Sequence, residues 1–389
     1  MLALFGGQTL GERLAETNNR PAGFDYLRLA LAISVVVVHT WAMINDPVWL
    51  KGFQESPFHR PILLILPMFF ALSGFLVSGS LERTPHLRNF IGLRLLRLWP
   101  ALAVEITLSA FVIGPIFTTV ALSAYFADPE FHAYFWNLLG HVQYRLPGLF
   151  ESNPRPFTVN GQLWTLPYEL YCYIALSVCL VLSFYKKGWP LFILIGALEL
   201  VTFYLAYEKI ILSQGLNLVV AFLWGVIFYR YRALVPWNRN LAIAAALTTA
   251  ILLCVRGGDY FSVVTTTYVT CYLGLCNPRR NGFVASGDYS YGIYLYGYPI
   301  QQAVAALGTW THSWFIHFGI SITLIMSLAI ASWWLVEKPA LRLRRFVAPG
   351  VKPGRVQEAV TVADIAADRA EDRIEAFVAP GGETTLARS

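Results

Sequence analysis

Ten stretches of mostly apolar residues, separated by short polar loops, rule out most folds before any motif is considered. A spanning helix takes roughly 20 apolar residues, and candidate spans fall near 27–45, 61–79, 98–118, 162–184, 190–207, 214–230, 240–256, 260–276, 288–307 and 315–336. Of the 389 residues, 56% are hydrophobic and 13% charged. The reading is therefore all-α: a polytopic membrane helix bundle of about ten transmembrane helices. No sizeable soluble domain fits beside it.

Ten crossings place both termini on one side, and the charges say which. Seventeen Lys and Arg between Arg13 and Arg345 fall in loops of that side, against six (Lys51, Arg60, Arg145, Arg155, Lys209 and Arg256) opposite. That bias makes the terminal side cytoplasmic. The opening residues MLALFGGQTLGERLAETNNR lack the features of a cleaved secretory signal. The organisation expected is a cytoplasmic N-terminal segment (1–23), a membrane domain (24–346) and a polar, mostly flexible cytoplasmic tail (347–389). The net charge of +6 is read as topology, with the lipid bilayer as partner and no nucleic acid. Cys172, Cys179, Cys254, Cys271 and Cys276 lie in apolar runs without metal-site or redox spacing, so they are read as small buried side chains and no metal is expected. The aromatic, proline-broken stretch 119–160 faces outward, as a lid or binding surface or as an interfacial anchor.

Within the first span, RLALAISVVVVHT sets Arg28 and His39 eleven residues apart. Eleven steps of 100° return to within about 20° of the start, about 16 Å along the axis, so the two share one helix face. Arg28 sits at the cytoplasmic mouth and His39 beyond the bilayer middle. Ionisable groups at such depth are costly in lipid, so the shared face should point into the bundle or a wet cavity. Of seven histidines only His39 lies deep in a span, and a neutral imidazole can take a proton from a hydroxyl near neutral pH.

Other intramembrane polar groups gather nearby in the chain. LPMFFALSGFLVSGS holds Ser73 at mid-span, with Gly74 and Ser78 placed to admit a neighbouring helix. RNFIGLRLLRLWP places Arg94 and Arg97 on one helical face just inside the cytoplasmic interface, ending at Pro100. LWTLPYELYCY carries Glu169 among Trp164, Tyr168 and Tyr171. Glu199 is a second acid within a span, with no evident partner.

Together with SYGIYLYGYPIQQ (Ser290 to Gln302) and WWLVEKPALR (Trp333 to Arg342), these pieces resemble the acyltransferase family 3 proteins, bacterial integral membrane O-acyltransferases, over about residues 24–345. The resemblance implies transfer of an acyl group, chiefly acetyl from acetyl-CoA, to a hydroxyl of a sugar in a surface or secreted glycan, from the bacterial inner membrane. It implies acyl-CoA and a glycan or glycolipid acceptor as partners and no permanently bound cofactor. Arg28, Arg94 and Arg97 would then seat the acyl-CoA phosphates, His39 would be the general base, and Glu169 would orient the imidazole or bind the acceptor. Ser73, Trp164, Tyr168, Tyr291 and Tyr294 are the expected substrate-binding positions, with Tyr291 and Tyr294 as donors to the developing oxyanion. Glu337 and Lys338 are expected to fix the end of the last helix. The chain departs from the family where it has Gly297 in YGYP, a position that often holds histidine. Its tail is too short for the extracytoplasmic hydrolase-like domain fused to some relatives, so the membrane domain acts alone or a separate extracytoplasmic partner finishes the reaction. A proton-coupled transporter of a polar solute or glycan precursor is the rival reading of the same buried Arg, His and Glu. A structural scaffold protein would explain the aromatic belts but not His39 and Glu169 together.

Overall fold

A hydrocarbon solvent leaves the backbone no partner but itself, and in the computed structural model the apolar runs are helices. The structure describes residues 7–348 except 84, 85, 183, 184, 186, 187, 211 and 256. The expected tail therefore lies, from residue 349, outside the described residues, as do Lys186, Lys187 and Arg256 of the loop charges. Among the described residues there is no strand, only two isolated bridges, Thr9 with Pro236 and Thr118 with Leu149.

The main helices are α1 (Ala22–Ile44), α2 (Ile65–Arg83), α3 (Leu87–Leu108), α4 (Leu166–Val181), α5 (Trp189–Tyr207), α6 (Leu212–Arg230), α7 (Arg239–Leu253), α8 (Val263–Gly274), α9 (Ser290–Ala305) and α10 (Trp314–Ser332). Among the described residues, seven helical segments are long and apolar enough to cross a membrane: those of α1 to α6, and Trp314–Val347. The expected spans at 240–256, 260–276 and 288–307 are helices of 15, 12 and 16 residues. At 1.5 Å per residue even the longest of these rises only about 24 Å, short of a hydrocarbon core about 30 Å thick. Ser262 separates α8 from the short helix Gly258–Phe261 before it.

α3 begins eleven residues before the expected 98 and runs through Pro100. Proline removes one helical donor without ending the helix, so Arg94 and Arg97 stand inside a continuous helix. Beyond Leu108 the helix widens into a π turn, Ser109–Ile113, and ends at Phe117.

Close packing is set by glycine. A Cβ at Gly74 would lie 2.0 Å from the Phe222 carbonyl oxygen, and one at Gly225 would lie 2.1 Å from that of Ala71. The α2 and α6 backbones therefore touch, which is the close approach anticipated at Gly74. Ser78 spends its hydroxyl on the Gly74 carbonyl at 2.8 Å. Glu199 has a partner after all, Trp224 Nε1 at 2.7 Å. Three of the cysteines are buried, whereas Cys254 is exposed and Cys276 half-buried, so the expectation of five buried thiols is corrected at those two.

Two large hydrophobic cores result, with two smaller clusters beside them. One joins α1, α3, α9 and α10 to the outer segment, and the other joins α2, α4, α5 and α6. The outer segment belongs to the first through Tyr125, Phe131, Tyr134, Leu146, Leu149 and Val159. Three aromatic rings from it pack on Phe111 of the π turn: Phe126 stacked, Phe131 edge-on and Phe135 tilted. It is a packed cap over the outer end of α3. The N-terminal helix Leu10–Glu16 is likewise docked, with Leu10 N–H donating to the Val235 carbonyl at 2.9 Å.

Candidate active site

Between the two cores lies a cavity of about 180 Å³. Its charged residues are Arg28 from α1, Arg94 and Arg97 from α3, and Glu169 from α4; Ser73, Tyr173, Ser290, Tyr291 and Tyr294 supply hydroxyls, and Leu66, Phe69, Leu98, Leu163 and Phe222 much of the apolar wall. Seven residues singled out in the sequence thus meet here: Arg28, Ser73, Arg94, Arg97, Glu169, Tyr291 and Tyr294. Three do not line it. Trp164 and Tyr168 pack edge-on at 6.0 Å, with the Tyr168 ring filling the space beside Gly215 of α6. His39 is the third.

The cationic end is organised by a residue the sequence analysis did not select. Asp288, two residues before α9, places Oδ2 2.8 Å from Arg28 Nη1, and the same oxygen pairs with Arg97 Nη2. Its Oδ1 accepts from the Ser290 hydroxyl at 2.6 Å. One carboxylate therefore holds two guanidiniums side by side at the cavity wall. Among the described residues no carboxylate is within ion-pair distance of Arg94; its Nη2 donates to Ser80 Oγ at 3.1 Å and its Nε is buried without a partner. Three arginines against one acid, Glu169, leave the cavity lining net positive, with Asp288 and Glu337 as further acids within electrostatic reach of Arg28 and Arg97.

Glu169 Oε1 accepts from the Tyr173 hydroxyl at 2.6 Å. That places its carboxylate at the arginine end, where Tyr173 and not His39 is its hydrogen-bond partner. The Tyr291 hydroxyl donates to the Leu98 carbonyl at 3.0 Å, and that of Tyr294 donates to the Gln162 carbonyl at 3.1 Å while meeting Thr165 Oγ1 at 2.8 Å. Both phenols are thus already hydrogen-bonded, Tyr291 to a backbone carbonyl and Tyr294 to a backbone carbonyl and a threonine hydroxyl. Glu337 accepts from the Ser332 hydroxyl at 3.1 Å, which accepts in turn from Tyr296 at 3.0 Å; this near-buried acid ties the end of α10 to α9.

His39 stands beyond the end of the cavity away from the arginines. On α9 the cavity ends at Tyr294 and Leu295; Tyr298, one helical turn further out, meets the His39 imidazole edge-on with ring centroids 5.1 Å apart. The Tyr298 ring is backed by Gly161, where a Cβ would lie 2.6 Å from Tyr298 Cζ. Gly161 opens the 3-10 turn Gly161–Thr165, whose Gln162 and Thr165 line the cavity. The same short turn thus borders the cavity on one side and supports the histidine's aromatic neighbour on the other. Gly297 faces Val36 of α1, with room for a Cβ at 3.5 Å. A separate cleft of about 200 Å³ in the outer segment, lined by Glu130, Gln143, Tyr144 and Arg145, contains none of the residues singled out.

The acyltransferase domain family matches residues 22–337. The chain is 27% identical over 335 residues to an O-acetyl transferase of Shigella phage Sf6, covering 81% of this chain and 94% of that one. It is 27% identical over 356 residues to Nodulation protein 10 of Rhizobium leguminosarum bv. viciae, covering 82% and 93%. A putative acetyltransferase, ORF330, of Acidianus two-tailed virus is 24% identical over 307 residues, covering 72% and 84%. No solved structure matches the chain. With a family match across nearly the whole helical region, the chain belongs to the acyltransferase domain family and is a membrane-embedded enzyme of the O-acetyltransferase kind.

Proposed function

We propose that the protein transfers an acetyl group from cytoplasmic acetyl-CoA to a sugar hydroxyl of a surface or secreted glycan at the outer face of a bacterial inner membrane. In this reading α7, α8 and α9 complete ten crossings, both termini are cytoplasmic, and residues 24–346 form the membrane domain. The observation that carries it is the two-ended arrangement: a net-positive cavity mouth on one side and, one turn past the cavity's other end, a half-buried histidine under the outer segment.

Each end suits one substrate. Acyl-CoA is a polyanion, and guanidinium binds phosphate through paired hydrogen bonds. Arg94, free of an ion-pair partner, offers the first contact, and Arg28 and Arg97 add charge held in place by Asp288. The pantetheine arm then lies along the apolar wall toward Tyr294, which brings the thioester to the Gly161–Thr165 turn. On the outer side His39 accepts the proton of the acceptor hydroxyl, and its ring is oriented by Tyr298. A separate extracytoplasmic partner would act after this step, on the acetylated product.

Replacing His39 by Ala tests the assignment. Purified wild-type protein should move radiolabel from acetyl-CoA into glycan extracted from the same cells, and H39A should insert normally and show none. Full transfer by H39A would rule out the histidine as base.

A further inference from the structure

The outer segment carries a cation directed inward. Arg155 Nε donates to the Ala42 carbonyl near the end of α1 at 3.3 Å. Its Nη2 is buried and has no hydrogen-bond partner, and Arg155 belongs to none of the ion pairs among the described residues. Its guanidinium is within electrostatic reach of the His39 imidazole and of the Tyr298 phenol. Burial pulls the guanidinium below its ordinary value and the phenol opposes this; an arginine nevertheless stays charged at any working pH.

The position of Arg155 is built. Gln302 of α9 is fully buried. Its Nε2 donates to the Arg155 carbonyl at 2.6 Å and to the Thr158 carbonyl at 2.5 Å, and its Oε1 accepts from Asn153 Nδ2 at 2.8 Å. Asn153 Nδ2 also donates to the Gln302 carbonyl at 2.9 Å. One buried amide thus bolts residues 153–158 to the helix that also carries Tyr298. A buried donor without an acceptor is costly. Such a cost is tolerated where charge appears only during the reaction, because a fixed donor then needs no reorganisation. Tyr291 and Tyr294, the donors first expected for that task, are already hydrogen-bonded elsewhere.

We infer that Arg155 is the oxyanion-stabilising residue of the transfer step. The inference rests on the reading of His39 as base. The acceptor oxygen gives its proton to His39 and bonds to the thioester carbon, and the carbonyl π pair moves onto oxygen, where Arg155 Nη2 donates to it. Collapse of this oxyanion breaks the C–S bond. The CoA sulfur leaves with that electron pair and takes the proton back from His39, giving free CoA and the O-acetyl ester.

The test uses the full chain in nanodiscs, with acetyl-CoA varied and glycan of the producing cells as acceptor. Arg155→Gln should lower kcat on the order of 100- to 1,000-fold and leave KM for acetyl-CoA and for glycan within about threefold. Arg155→Lys keeps a charge and a donor for the Ala42 carbonyl but loses the planar fork, and should lose about tenfold. Wild-type kcat in the Gln variant, or a rise in KM alone, overturns the proposal, the latter by making Arg155 a ground-state anchor for an anionic acceptor. Wild-type kcat in the Lys variant with loss of monodisperse protein in the Gln variant also overturns it, by making the role structural. His39→Ala, measured alongside, separates the two readings. If it is inactive while Arg155→Gln is normal, only the arginine assignment falls; if it is active, the base assignment falls.

Discussion

Gly161 is where a single methyl group should separate donor binding from transfer. Its Cβ would meet two ring carbons of Tyr298 at 2.6 and 2.7 Å and the hydroxyl oxygen at 3.0 Å, the carbons about 1 Å inside ordinary contact. Relief requires the ring to move by about that distance, because Gly161 is held in a turn whose Gln162 Nε2 donates to the Leu295 carbonyl at 2.6 Å. The Tyr298 ring is the surface against which His39 rests. A misplacement of about 1 Å in a reacting group costs on the order of 100-fold in rate, whereas overpacking one methyl costs roughly 1–3 kcal/mol of stability. Gly161→Ala should therefore lower kcat roughly 100-fold while CoA binds within twofold of wild type, since the arginines lie at the other end of the cavity. Calorimetry with CoA and a radiolabel transfer assay on the same preparation measure both. Native kcat in the variant, or loss of CoA binding equal to the loss of rate, would refute the link between turn, ring and histidine.

Two further outcomes follow from the arginine end. Asp288→Asn and Arg97→Gln, singly and together, should show a coupling of roughly 2 kcal/mol in unfolding by denaturing detergent; additivity within about 0.4 kcal/mol would mean that the pair organises nothing. Arg94→Gln should weaken CoA binding at least about tenfold, the size of one charge-assisted hydrogen bond, with thermal stability changed little; unchanged affinity by calorimetry would remove Arg94 from the phosphate site.

Much of the inner site was legible because its residues obey helical spacing. Arg94 and Arg97 lie three apart on α3, Tyr291 and Tyr294 three apart on α9, and Glu169 is an acid in an apolar run, so each stood out against its neighbours. Asp288 was not visible by that route. It precedes a helix in an ordinary turn, and only the fold brings it to Arg28 and Arg97, 260 and 191 positions away. Arg155 was counted as an outer-loop charge, since nothing in FESNPRPF tells a solvated arginine from one bolted over a histidine; that distinction is made by Gln302, nearly 150 residues later. The expectation that the face shared by Arg28 and His39 points into the bundle or a wet cavity leads to the arginine end, but His39 is not among the residues lining the cavity, whose far end is bordered by the Gly161–Thr165 turn and α9. Span counting outruns the helices where they are short: α7, α8 and α9 are apolar enough to be noticed but carry 12 to 16 residues each, because apolar sequence extends through the loops that end them.

The central claim is that donor and acceptor meet from opposite sides of the membrane. With the proposed orientation, sealed everted vesicles from cells making the protein present the arginine end outward, so labelled acetyl-CoA added outside should place label on glycan protected in the lumen. Right-side-out vesicles given the same donor should incorporate none. Label on glycan of the face to which acetyl-CoA is added, in either preparation, would contradict the two-ended site.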